Sequence, residues 1–173
     1  MIKIAFFPGS FKPPHVGHFT IVKELLQKVD RLYIFISAKP RDGITAEQSM
    51  KIWKIYLSDT DMKKIIIHIT KVSPIMATYK TISELKNDDL NIYLIKSKKD
   101  SFNKRFEMFD KLKSKYNILS IHEWILPTFK TISSTNMRKT IKDNDYKNFK
   151  KFVPLHLSER KIKDVWNIVK NNN

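Results

Sequence analysis

Five short runs of β-branched and aromatic residues alternate with stretches whose apolar residues recur at helical spacing, and this alternation limits the folds open to the chain. The runs are 2–7, 31–37, 64–70, 91–96 and 118–124. After the first, Phe19, Val22, Leu25, Leu26 and Val29 mark one helical face between His18 and Val29. After the second, Thr45 and Gln48 form a capping-box pair ahead of Met50, Trp53, Tyr56 and Leu57. Further helices are expected over 77–86, 102–116, 134–142, 145–152 and 158–169, the one over 102–116 turning Phe106, Phe109 and Leu112 inward. Strands alternating with helices of this length predict an α/β protein. The expectation is a Rossmann-like, doubly wound, five-stranded parallel sheet with helices on both faces and a C-terminal helical extension. Residues 1–173 then form a single domain, with a core over 1–142 and C-terminal helices over 143–173. In such sheets ligands gather beyond the carboxyl ends of the strands.

Charge and cysteine content narrow the function classes. Cysteine is absent, which excludes disulfides, thiolate metal sites and cysteine nucleophiles. No apolar run reaches bilayer length and the N-terminus has no signal-peptide pattern, so a cytoplasmic location with no membrane partner is expected. The net charge of +16 favours polyanionic partners. The excess is almost all lysine spread along the chain, and arginine is the better reader of base edges, so nucleic acid is not expected as the main partner. Residues 45–57, with Trp53 among them, are read as packing or as an oligomer face.

Two loops at strand ends carry the chemistry. The first, residues 8–18, leaves the first strand and enters a helix. It holds Pro8, Gly9, Ser10, Phe11 and Lys12, then His15, Gly17 and His18. Glycine lets a backbone approach a ligand, two imidazoles three residues apart face one volume, and a helix N-terminus attracts anions. Two histidines could also be zinc ligands, but no third donor lies nearby in sequence, so no metal ligands are assigned. The second loop places Ile132, Ser133, Ser134 and Thr135 at another helix start, with Arg138 one turn in. Hydroxyls, free N–H groups and an arginine suit a phosphate.

His15-Val16-Gly17-His18 resembles the H-x-G-H signature of the nucleotidyltransferase superfamily. The preceding Gly9-Ser10-Phe11 is similar to that family's G-[ST]-F, and residues 132–138 to its I-S-S-T-x-x-R signature. The resemblance, which includes phosphopantetheine and nicotinamide-mononucleotide adenylyltransferases, covers about residues 1–142. It implies attack on the α-phosphate of a nucleoside triphosphate by a phosphorylated small-molecule acceptor, with release of pyrophosphate. It implies catalytic roles for His15, His18, Lys39 and Arg138, with His18 on the α-phosphate and Arg138 on the pyrophosphate. Pro8, Gly9, Ser10, Phe11, Gly17, Ser97, Asp100, Ile132, Ser133, Ser134 and Thr135 become nucleotide contacts. Lys12, Arg41 and Arg105 become candidates for the acceptor phosphate, although Lys12 stands where many relatives carry Asp or Asn and could serve only solvent. Mg2+ is expected to arrive with the triphosphate.

The second signature favours ATP over CTP. A cytidylyltransferase using CTP is the near alternative, and a basic nucleic-acid-binding or nucleotide-sensing protein with a non-catalytic site is the distant one. Phe11, Tyr79, Trp124 and Phe129 are aromatic candidates for stacking an acceptor, and residues 73–76 with Tyr79 for a pantetheine groove. A homo-oligomer is left open.

Overall fold

The computed structural model describes residues 1–85, 89–96, 108–115, 118–125 and 131–171. Its five strands are β1 (Ile2–Gly9), β2 (Arg31–Ser37), β3 (Ile65–Thr70), β4 (Leu90–Lys96) and β5 (Ile118–Ile125), all parallel in the order β3-β2-β1-β4-β5. The order reverses between β2 and β4 around the central β1, which is where a doubly wound sheet opens its crevice.

The strand residues explain why both faces are covered. Along β1, Ile4 and Phe6 point to one face and Ala5 and Phe7 to the other, and all four are buried. Along β2, Tyr33 and Phe35 join the first set while Leu32, Ile34 and Ile36 join the second. One face is packed by α4 (Pro74–Glu84) and α5 (Met108–Lys115) through Ala77, Tyr79, Ile82 and Phe109. The other is packed by α1 (Val16–Leu26), α2 (Ala46–Tyr56), α6 (Ser134–Lys142), α7 (Tyr146–Phe149) and α8 (Glu159–Lys170). Phe149, Phe152, Val153, Val165 and Val169 share that second core, so the C-terminal helices pack against the sheet domain.

The differences from the sequence reading are local. α1 starts at Val16 because the His15 side chain caps it. α4 starts at Pro74 because Ser73 caps it and proline is tolerated in a first turn. A short α3 (Asp59–Met62) appears behind Ser58, which makes its own capping box with Asp61. The helix expected over 145–152 is α7 followed by a 3-10 turn at Lys150–Phe152. Trp53 is wholly buried against Phe11 and Tyr56, so this side chain packs within the core. The expected inward Phe106 lies outside the described residues.

Candidate active site

The loop from β1 to α1 is fixed by its carbonyl groups. Five consecutive carbonyl oxygens each accept from a different side chain. Lys12 Nζ donates to Ser10 at 2.9 Å, Ser49 Oγ to Phe11 at 2.6 Å, and Arg138 Nη1 to Lys12 at 2.8 Å. Ser134 Oγ donates to Pro13 at 2.9 Å and Tyr56 Oη to Pro14 at 3.1 Å. The donors come from the loop itself, α2 and α6. Engaging each of these carbonyls within the protein leaves none of the five to repel an incoming anion.

Phe11 plugs the loop from within. Its φ of 51° lies in the left-handed region, which a bulky residue adopts only when its surroundings demand it. Its ring packs edge-on to Phe7, His18 and Trp53. It also explains Gly9, since a Cβ there would sit 2.8 Å from the Phe11 ring. Phe11 is thus 4% exposed and cannot stack on an acceptor.

The two histidines make an unusual capping box. His15 Nδ1 accepts from the Gly17 N–H at 3.2 Å, and His18 Nδ1 accepts from the His15 N–H at 3.2 Å. Their rings stack with centroids 3.7 Å apart. A ring whose Nδ1 accepts carries its proton on Nε2 when neutral, so both rings keep a donor beyond the cap. Burial pushes His15 down to about 4 and holds His18 well below the usual imidazole range, with His15 adding like-charge repulsion. Both are therefore neutral donors at pH 7 in the free protein. No acidic residue occupies the first turn of α1 or of α6, so both positive helix ends stay uncompensated.

The second loop meets the first. Ser133 caps α6, its Oγ accepting from Asn136 N–H at 3.1 Å, while Ser134 holds Pro13. Thr135 Oγ1 accepts from Arg138 Nη2 at 3.2 Å. Ile132 is half-buried against the core beside these hydroxyls. The three hydroxyls are engaged within the protein. The first-turn N–H groups of Ser134 and Thr135 are those a helix leaves without an internal acceptor. Arg138, expected at the pyrophosphate, is 8% exposed and donates from all three nitrogens: to Lys12 O, to Thr135 and to Asp42 Oδ2. It braces both loops and the turn after β2. Asp42 carries no sequence signal for this role, and neither do Ser49 or Tyr56, although the i, i+7 spacing of those two places them on one face of α2.

Other expected residues separate into three groups. Lys39 and Arg41 are exposed and, with Ser10, Ser37 and Pro40, line a hollow of about 370 Å³ at the ends of β1 and β2. Pro8 is half-buried in β1 and pairs with Phe35, and Gly17 is buried in the first turn of α1. Ser97, Asp100, Arg105 and Phe129 lie outside the described residues. Tyr79 is core, stacked on Phe109 at 4.2 Å, so it lines no pantetheine groove. Trp124 is half-buried on β5 beneath the Lys28 ammonium. Lys12 is buried, not solvated: only 1% is exposed, because its ammonium turns back onto two carbonyls. No cluster of three His, Asp or Glu side chains suited to a metal occurs among the described residues, and no helix among them is long and apolar enough to cross a membrane.

Two helix N-termini without acidic residues are tied together at the switch point of a parallel sheet and fronted by imidazole donors, an arrangement suited to a polyphosphate. The family model for cytidylyltransferase-like proteins matches residues 6–140, and the chain belongs to that family. A phosphopantetheine adenylyltransferase from Mycoplasma mycoides subsp. mycoides is 27% identical over 141 residues, covering 80% of this chain and 96% of that protein. A nicotinamide-nucleotide adenylyltransferase from Sulfolobus acidocaldarius is 37% identical over 70 residues, 36% of this chain and 40% of its own. The solved Plasmodium falciparum nicotinic acid mononucleotide adenylyltransferase superposes with a TM-score of 0.66 at 17% identity, over 97% of this chain and 95% of that one, a likeness of fold.

Proposed function

We propose that the protein is an adenylyltransferase that moves AMP from ATP to the phosphate of a small acceptor. An acceptor phosphate oxygen attacks the α-phosphorus, the bond to the bridging α–β oxygen breaks, and pyrophosphate leaves with that electron pair. No covalent enzyme intermediate forms. The observation that carries the reading is the join between the two loops, Ser134 on the Pro13 carbonyl and Arg138 on the Lys12 carbonyl, which ties the start of α6 to the loop that enters α1.

The residues divide the work by position. His18 Nε2–H donates to the α-phosphate as charge develops there, and His15 Nε2–H to the neighbouring phosphate. Gly9, Ser10 and the α1 N-terminus hold the nucleotide, and the first-turn N–H groups of α6 hold the β and γ phosphates. Arg138 keeps both cradles in register and adds its charge beside the leaving pyrophosphate. Lys39 and Arg41 stand on the acceptor side. Mg2+ enters on the triphosphate oxygens, consistent with its preference for phosphate and water over an all-protein cage. Catalysis is then mostly positioning and charge stabilisation.

The phosphopantetheine and nicotinamide-nucleotide relatives set the acceptors to try first. The family's cytidylyltransferase-like description keeps CTP as the second reading. A pyrophosphate-release assay of ATP and CTP against phosphopantetheine, nicotinamide and nicotinate mononucleotides and small phosphorylated alcohols decides between them. Magnesium-dependent release with ATP and one acceptor is the expected result. ATP binding without release for every acceptor would overturn the reading in favour of a nucleotide sensor.

A further inference from the structure

Arg138 is a buried cation with two neutral partners and one charged partner that can let go. Nη1 donates to the Lys12 carbonyl at 2.8 Å and Nη2 to Thr135 Oγ1 at 3.2 Å, partners that belong to the joined loops themselves. Nε donates to Asp42 Oδ2 at 2.5 Å, and that carboxylate side chain is 66% exposed. A buried guanidinium needs an anion beside it, whereas an exposed carboxylate keeps most of its hydration and loses little when it leaves.

Neither side of the pair depends on it for shape. Asp42 and Gly43 have φ of 47° and 78°, the two left-handed residues of a tight hairpin turn, a conformation that Asp-Gly adopts readily. Arg41 and Ile44 close that turn with two backbone hydrogen bonds of 3.0 Å. Arg138 keeps its place through Lys12 and Thr135. The pair sits in the wall of a cavity of about 550 Å³ between α6, the end of α8 and this turn. Lys139, Lys142 and Lys170 line the same cavity, so an entering polyanion meets an excess of positive charge and a displaced carboxylate finds other cations close by. Thr135 lines it too, and its N–H is one of the first-turn donors proposed above for the terminal phosphates.

We propose that Asp42 is an intramolecular stand-in for phosphate: its carboxylate occupies the Nε edge of Arg138 in the free protein, yields that edge when the terminal phosphates of the triphosphate enter, and takes it back as pyrophosphate leaves. This exchange deepens the adenylyl-transfer reading and rests on it. No covalent bond changes; one anion replaces another on the same N–H. The competition lowers the apparent affinity for triphosphate and for pyrophosphate by the fraction of molecules in which the edge is free, and it hastens the departure of the product. A carboxylate that only braced Arg138 would do the opposite, raising affinity by holding the guanidinium ready. The sign of the effect therefore separates the two roles.

Magnesium pyrophosphate and a non-hydrolysable ATP analogue are titrated calorimetrically into wild type and Asp42→Asn. Both should bind the variant about threefold to tenfold more tightly. The gain should persist at about 0.5 M salt, where a field acting from a distance is screened. In turnover, the ATP KM and the pyrophosphate inhibition constant should both fall. The Arg138 Nε–H resonance supplies a second readout: free wild type and free variant should differ, and the two pyrophosphate complexes should coincide because the carboxylate is off the edge in both. Equal or weaker binding to a folded Asp42→Asn, a gain that vanishes in salt, or complexes whose Nε–H resonances stay apart overturns the exchange. If Asp42→Asn does not fold, the wild-type resonance decides alone: it must move on addition of pyrophosphate, and a fixed resonance overturns the exchange. Tighter binding as expected without adenylylation of any acceptor leaves the exchange standing and removes the adenylyl reading. Turnover with an unchanged pyrophosphate affinity in a folded Asp42→Asn does the reverse.

Discussion

Helices α1 and α2 have the same length, 11 residues, and each opens with a reciprocal capping box, yet the two boxes are built from different chemistry. In α2, Thr45 Oγ1 accepts from Gln48 N–H at 3.1 Å and Gln48 Oε1 accepts from Thr45 N–H at 2.8 Å, with Glu47 in the first turn to meet the helix dipole. In α1 two imidazoles do the same work over longer bonds, and no acid follows them. The α2 box satisfies its own helix. The α1 box leaves two Nε2 donors and an uncompensated positive end for something from outside. Weaker capping bonds at the site of chemistry are the expected form of a function–stability compromise.

The largest effect should come from a variant that keeps the α1 cap and removes only the outward donor. His18→Asn retains an acceptor for the His15 N–H, so melting temperature should change little while kcat falls about a hundredfold or more. Near-normal turnover would show that His18 is a cap and nothing else.

Acid should separate the two boxes next. Protonating Nδ1 removes an acceptor from the α1 box, whereas hydroxyl and amide do not titrate. Both imidazoles are held below their unfolded value, so their stabilising contribution is complete above about pH 6.5 and is lost as pH falls through their folded values, about 4 for His15. The His15 share reaches about 3 kcal/mol at the acid end. Urea unfolding across this window measures it, and bound ATP should blunt the loss. A pH-independent midpoint would contradict the buried neutral pair.

Thr45→Ala should cost about 1 kcal/mol of stability and leave kcat/KM of the folded enzyme alone. A stability loss of the same size, about 0.5–1.5 kcal/mol, is expected of Tyr56→Phe, which frees the Pro14 carbonyl, here with a modest rise in the ATP KM. If Thr45→Ala reduced turnover more than Tyr56→Phe does, the division between a structural and a functional cap would fail.

Much of this was legible before any coordinates. The alternation of runs such as 31–37 with helical spacings such as 19–29 follows from burial on both faces of a sheet, which leaves a periodic trace in the chain. The two loops were legible because glycines, histidines and hydroxyls cluster there. The burial of Lys12 was not, since a lysine reads as solvated unless its partners are known, and those partners are carbonyls, which every residue has. The same invisibility hides Ser49, Tyr56 and Asp42, which act on backbone or on another side chain far away in sequence. α3 escaped because four residues are too short to show a period.

The five tethered carbonyls have a consequence for engineering. Residues 9–18 do not hold their shape alone; four of the five clamps belong to α2 and α6, at Ser49, Tyr56, Ser134 and Arg138. Transplanting this decapeptide to another scaffold would carry its imidazoles and leave most of its anchors behind, and the graft would collapse into an ordinary turn. A recipient would need the flanking helices as well, which makes the whole half-sheet, and not the motif, the unit that can be moved.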